Sequence, residues 1–145
     1  MSDTLYEQTA REHDTWQRLK EEIKLAAPEL GIDKIGFATA DPFLEMKERL
    51  IRHRDKGYES GFEEPDIEKR VYPERNMEEP RSIVSIAVAY PTKMDSPPKS
   101  EPDNYRGQIS RSAWGEDYHH VLRRRLARLE QFIRERVPDA RFTSM

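Results

Sequence analysis

Gly107 to Leu129 gathers more titratable, aromatic and donor side chains than any other stretch of the chain. It reads Gly-Gln-Ile-Ser-Arg-Ser-Ala-Trp-Gly-Glu-Asp-Tyr-His-His and continues as Val-Leu-Arg-Arg-Arg-Leu-Ala-Arg-Leu. Tyr118 and His119 are groups able to hand over a proton. His119 and His120 are adjacent, and successive helix positions diverge by about 100°, so at most one of them faces inward. A helix-start histidine satisfied by backbone or a nearby Asp is the purely structural alternative. Ser110 and Arg111 carry donors suited to amide, carboxylate or phosphate oxygens. Trp114 suits stacking on a planar ligand as well as filling a core, and Gly115 behind it acts as a hinge.

Other chemistries are excluded or lack a signature. The chain has no cysteine, which removes disulfides, thiolate zinc sites, Cys-ligated iron–sulfur clusters and a thiol nucleophile. Its histidines are His13, His53, His119 and His120, and no two have the spacing of a helical zinc pair. No Gly-x-Gly-x-x-Gly run, phosphate-binding Walker loop or Gly-x-Ser-x-Gly elbow is present.

The elements that must position this stretch are legible from periodicity. Trp16, Leu19, Ile23, Ala26 or Ala27 and Leu30 recur at steps of three and four, predicting a helix over 11–30 that Pro28 and Gly31 end. Lys34 to Ala38, with Ile35 and Phe37 alternating, predicts a short strand. Asp41-Pro42 reads as a capped helix start, and Phe43, Met46, Leu50 and Ile51 as the buried stripe of a helix over 42–56 stopped by Gly57. Residues 57–80 form a long irregular stretch, and the bland reading of Arg70 there is a surface ion pair with Glu68 or Asp66. Ser82 to Tyr90 lacks strict alternation and is rich in β-branched residues, predicting a central strand buried on both faces and stopped by Pro91. Residues 92–106 read as an exposed loop. A second long helix starts near Glu116 and ends at Pro138, with Tyr118, Leu122, Leu126, Leu129 and Ile133 on one face. Arg141 to Met145 resembles the beginning of a strand.

Charged residues make up 37% and hydrophobic residues 35% of the 145-residue chain, a lean core for one folded domain with a wet surface. No apolar run reaches membrane-spanning length and no secretory signal is visible, so a cytoplasmic location with no membrane partner is expected. The net charge of −3 hides an asymmetry: from Arg106 onward there are nine arginines, no lysine and five acids. An arginine-only basic end favours planar or phosphate-bearing partners, although a solvated helix face is the simpler reading.

Four segments together resemble the N-terminal region of the epoxyqueuosine reductases. They are Asp33 to Phe37, Gly57 to Val71, Ser82 to Pro91 and Ser112 to His119, in order and with compatible spacing from about residue 16. The run Gly-Phe-Glu-Glu-Pro-Asp-Ile-Glu-Lys-Arg at 61–70 is the most specific, because no generic structural reason makes it recur. The resemblance implies an α/β fold, a mixed sheet flanked by helices, with residues 1–15 as a flexible N-terminus and 16–145 as the corrin-binding domain. It implies reduction of epoxyqueuosine to queuosine in tRNA, with cobalamin and two 4Fe–4S clusters as cofactors. By the resemblance Arg70 and Ser110 contact the corrin rim, and Arg111, Trp114, Tyr118 and His119 line the substrate cavity. The family's proton-donating Asp follows directly after the segment matching Thr143-Ser144-Met145, and its cluster cysteines belong to a C-terminal iron–sulfur domain absent here. The chain is therefore expected to be a truncated piece that does not turn over alone. The competing expectation is a non-catalytic module whose arginine-rich helix binds RNA or a protein.

Overall fold

The computed structural model describes residues 2–90, 93, 99–107 and 109–144. The element order is α1 (Ser2–Ala26), β1 (Lys34–Thr39), α2 (Leu44–Asp55), α3 (Ile67–Val71), β2 (Ser82–Ala87) and α4 (Tyr118–Arg134), with 3-10 turns at Pro73–Arg75 and Arg111–Ala113. The chain divides into two compact units, residues 2–35 with the described part of 86–144, and residues 36–85.

In the first unit, α1 reaches back to Ser2, into the residues expected to form a flexible N-terminus. Residues 2–10 contain neither Gly nor Pro to stop it. Its far end is set by Gly31, at φ +78°. The Ile32 N–H donates to the Ala27 carbonyl at 2.9 Å, and the Gly31 N–H to the Pro28 carbonyl at 3.0 Å. This pair of bonds closes the helix terminus, with the apolar residue after the glycine folded back onto it. Ile32 and Ala27 are buried beside Ile23 and Leu129, the core of this unit. Trp16, expected on the buried stripe, is half exposed at 52%; the tight core begins only at Ile23. Helix α4 is tied to α1 by Arg136, whose Nε donates to Glu22 at 2.9 Å. Its face turns inward less uniformly than expected: Leu129 is buried, Leu122, Leu126 and Ile133 are half-buried, and Tyr118 is exposed. The helix stops before Pro138, whose ring disfavours helical backbone at the preceding residue. No strand forms over 141–144; the Arg134 guanidinium lies over the Phe142 ring, and the Ser144 hydroxyl bonds Glu130.

In the second unit, α2 ends as α1 does. Gly57 at φ +68° donates to the Arg54 carbonyl, and Tyr58 N–H to His53, as the glycine stop predicts. Its start differs from the expected Asp41 cap. Phe43 holds the cap position, and its N–H donates to the Val71 carbonyl at 2.9 Å, so α3 supplies what a side chain was expected to supply. The predicted stripe is also not buried: Phe43, Met46 and Ile51 are exposed and Leu50 half-buried, because short α3 covers little of α2. Val71, fully buried, is the core residue of this unit.

Strands β1 and β2 pair as a two-stranded antiparallel sheet, not the mixed sheet expected. The strand read as central is consequently nowhere buried, since each strand of a two-stranded sheet is an edge. It ends at Ala87 rather than Tyr90, because the Asp33 carboxylate accepts the Ala89 N–H at 2.8 Å and takes over from the ladder. The expected stop at Pro91, and most of the expected loop at 92–98, lie outside the described residues.

Candidate functional site

The first unit carries five of the six residues singled out from sequence: Ser110, Arg111, Trp114, Tyr118 and His119. Arg70 belongs to the second unit and is described with it.

Ser110 precedes the short 3-10 turn, and its carbonyl accepts the Ala113 N–H at 3.0 Å. Arg111 opens that turn, is exposed, and makes no ion pair among the described residues. Trp114 closes it. Its indole N–H donates to the Ile109 carbonyl at 3.2 Å, which fixes the half-buried ring against the preceding backbone. Gly115 then reverses the chain at φ +85°, a left-handed conformation that glycine adopts without steric cost.

The start of α4 is held by two carboxylates. Glu116 reaches forward to Arg124 in a two-pronged ion pair, with one contact at 2.8 Å, and this interaction holds its carboxyl below the usual range. Asp117 is the helix cap: its Oδ1 accepts the His119 backbone N–H at 2.9 Å. The same oxygen lies 2.8 Å from the His119 ring Nδ1. These bonds, the backbone one foremost, hold the Asp117 carboxyl below its ordinary value, so it is ionised at neutral pH and only accepts. The Tyr118 ring stacks on the imidazole at 4.0 Å with the planes 28° apart. His119 thus has its Nδ1 engaged, one face covered, and about half of its side chain in solvent. His120 is exposed beside it.

Sequence reading placed Tyr118 and His119 at the head of the helix, and the alternative of a helix-start histidine satisfied by a nearby Asp is what the structure shows, with Asp117, not singled out by name, as that Asp. The available signal was an Asp directly before the first residue of a periodic apolar run, which marks a helix cap.

In the second unit, Arg70 pairs with neither Glu68 nor Asp66. Asp66 is occupied as the cap of α3, accepting the Glu68 N–H at 2.9 Å, and Glu68 is held by Lys47 at 2.6 Å. Arg70 instead lies 3.7 Å from Glu59. Arg54 grips the same carboxylate through Nε at 2.9 Å and Nη2 at 3.0 Å, and holds its carboxyl below the ordinary range. The intervening loop is folded around Glu63, whose two oxygens accept the Ser60 and Gly61 N–H groups at 2.9 Å each. The Ser60 backbone N–H, then the Glu63 N–H and the Ser60 hydroxyl, with a smaller part from the Gly61 N–H, bring the Glu63 carboxyl down to about 2.

Proteins that this chain matches in sequence and structure are named as reductases, a class of oxidoreductase. The chain superposes on the structure of epoxyqueuosine reductase from Bacillus subtilis with a TM-score of 0.79 and 50% identity, covering 90% of this chain and 35% of that one. It also matches a crystal structure of epoxyqueuosine reductase with an epoxyqueuosine-modified tRNA stem loop, at a TM-score of 0.72 over 83% of this chain and 32% of that one. The Listeria monocytogenes epoxyqueuosine reductase is 54% identical over 127 residues, 88% of this chain and 34% of that protein. A family model described as "Epoxyqueuosine reductase QueG, DUF1730" matches residues 70–145, more than half of the chain. The chain belongs to the epoxyqueuosine reductase family, as its sequence segments had implied, and spans about a third of the length of the curated relatives it matches. Membership in this enzyme family does not favour the separate RNA- or protein-binding module. No described helix is long and apolar enough to cross a membrane.

Proposed function

We propose that this chain forms the corrin-side wall of an epoxyqueuosine reductase, in which Ser110, Arg111, Trp114, Tyr118 and His119 meet cofactor and substrate. One observation carries the reading. Within the family-matched residues, a 3-10 turn and a carboxylate-capped helix start hold these five donor, aromatic and imidazole groups on one short segment. The chemistry of the donor set fits cobalamin. Corrin side chains are amides, and the Ser110 hydroxyl and the exposed Arg111 guanidinium are donors for their carbonyls. When bound, cobalamin supplies the electrons that open the epoxide. The residues of this chain bind, orient and exchange protons: Trp114 offers a flat apolar face, and His119 and Tyr118 offer hydrogen bonds to substrate oxygens. The residues do not fit the two iron–sulfur clusters, since the chain has no cysteine to ligate them, and no step of this reading runs through them. The chain alone is accordingly read as inactive in turnover.

The partner is tRNA carrying epoxyqueuosine. Arg123 and Arg128, exposed on α4 and without an ion pair among the described residues, are suited to its phosphates. The test is a titration of the purified chain with cobalamin, followed by its visible absorbance. A hydrogen bond from a charged donor is worth roughly 1.5–3 kcal/mol, so Arg111→Ala is expected to weaken binding by roughly 10- to 150-fold. Absence of any spectral change at millimolar cobalamin overturns the corrin assignment. Binding of the modified stem loop should fall with salt, and the Arg123→Ala, Arg128→Ala double variant should flatten that slope by up to about 2.

A further inference from the structure

Asp117, the cap of α4, does two things with one oxygen. It accepts the backbone N–H of His119 at 2.9 Å, as a helix cap, and it sits 2.8 Å from the Nδ1 of the same residue's ring. A carboxylate has no hydrogen to give, so the hydrogen on that second contact belongs to Nδ1. A neutral imidazole carries one N–H, which leaves Nε2 as a lone-pair acceptor; a protonated one donates at Nε2 as well. Nε2 has no partner among the described residues. The ring is also stacked on Tyr118 at 4.0 Å, which restrains it against tilting.

The geometry points to Asp117 as the positioning residue of this site, which locks the His119 imidazole to the helix start and commits it to exchanging hydrogen bonds and protons with an oxygen of the bound nucleoside through Nε2. The inference rests on the proposed role of His119 at the substrate, and it adds which nitrogen works and what holds it there. One oxygen shared between cap and ring means that the imidazole is oriented by the same contact that starts α4. A carboxylate fixing the far nitrogen of a working histidine is a general device for setting tautomer and orientation.

Nitrogen-15 NMR of the imidazole at alkaline pH, where imidazoles are neutral, tests this on the whole 145-residue chain. The wild-type chain is expected to show His119 protonated at Nδ1 with a bare Nε2. Asp117→Ser keeps a good helix cap but is too short to reach the ring, so the proton is expected to move to Nε2 while α4 remains intact by circular dichroism. Asp117→Asn keeps both the cap and an acceptor oxygen, and is expected to restore the Nδ1–H form in part. A wild-type ring protonated at Nε2, or a tautomer unchanged in Asp117→Ser, overturns the proposal and reduces Asp117 to a cap. The underlying reading fails by a different signal: the Nδ1–H tautomer stands, but adding the epoxyqueuosine-modified stem loop leaves the Nε2 resonance unmoved.

Discussion

Replacing Gly31 by alanine should be among the most damaging single-methyl changes in this chain, and the structure separates its two causes. The first is backbone. Gly31 sits at φ +78°, where a β-carbon crowds the following carbonyl at a cost of about 1–2 kcal/mol. The second is space. A β-carbon there would lie 2.4 Å from Arg125 Cζ and Nη1 and 2.8 Å from Nε, well inside contact distance. That neighbour is the end of a flexible side chain, and its buried Nε has no hydrogen-bond partner to lose. The clash therefore falls at the lower end of overpacking costs, about 1 kcal/mol. Alanine also stiffens the unfolded chain, which returns about 0.4–1 kcal/mol. The net expectation is a loss of about 1–2.5 kcal/mol, or roughly 3–8 °C in Tm for a chain of this size. Thermal unfolding followed by far-ultraviolet circular dichroism, on wild type, Gly31→Ala, Arg125→Ala and the double variant, reads both parts. In the Arg125→Ala background the Gly31 substitution should cost about 1 kcal/mol less, because only the backbone strain remains. Equal costs in both backgrounds would refute the steric part. A Gly31→Ala chain as stable as wild type would refute the left-handed turn that closes α1.

Two further outcomes follow from the second unit. The Glu63 carboxyl is brought down to about 2 from an ordinary 4.5, so its contribution to the 60–63 loop is fully present above about 4.5 and is lost as pH falls toward 2. The Ser60 and Gly61 amide proton shifts should titrate with a midpoint near 2, and a midpoint at the ordinary value would remove the two backbone bonds from the account. Val71 is fully buried, so Val71→Ala should cost about 2 kcal/mol through lost methyl burial and the void left behind. Urea denaturation should show a lower midpoint, and an unchanged one would mean that α3 does not anchor its unit.

What was legible in the sequence depended on how local its cause is. Gly31 and Gly57 close their helices by the expected turn, because the rule involves only the glycine and the five residues before it, although α1 itself stops at Ala26, short of the expected 30. Lys34–Thr39 is the strand expected, since alternation is likewise a local property. The errors concern partners. Asp41 looked like a helix cap, but the Phe43 N–H goes to the Val71 carbonyl across a gap no pattern encodes. Arg70 looked like a partner for Glu68 or Asp66, but both were already engaged by Lys47 and the start of α3, which left Glu59. Ser82–Ala87 looked buried on both faces, and composition is a fair guide to what a strand can bury but silent on how many neighbours it has. The candidate site divides along the same line. Tyr118 and His119 could be placed at a helix head from spacing alone, and the family resemblance supplied a reason to look at them. Asp117 was anticipated only as an unnamed nearby Asp for the histidine, because spacing does not signal that one oxygen serves the backbone N–H and the ring Nδ1 of His119 together. A helix cap followed two residues later by a histidine is thus a sequence pattern with a chemical consequence: it sets which nitrogen faces outward before any ligand arrives.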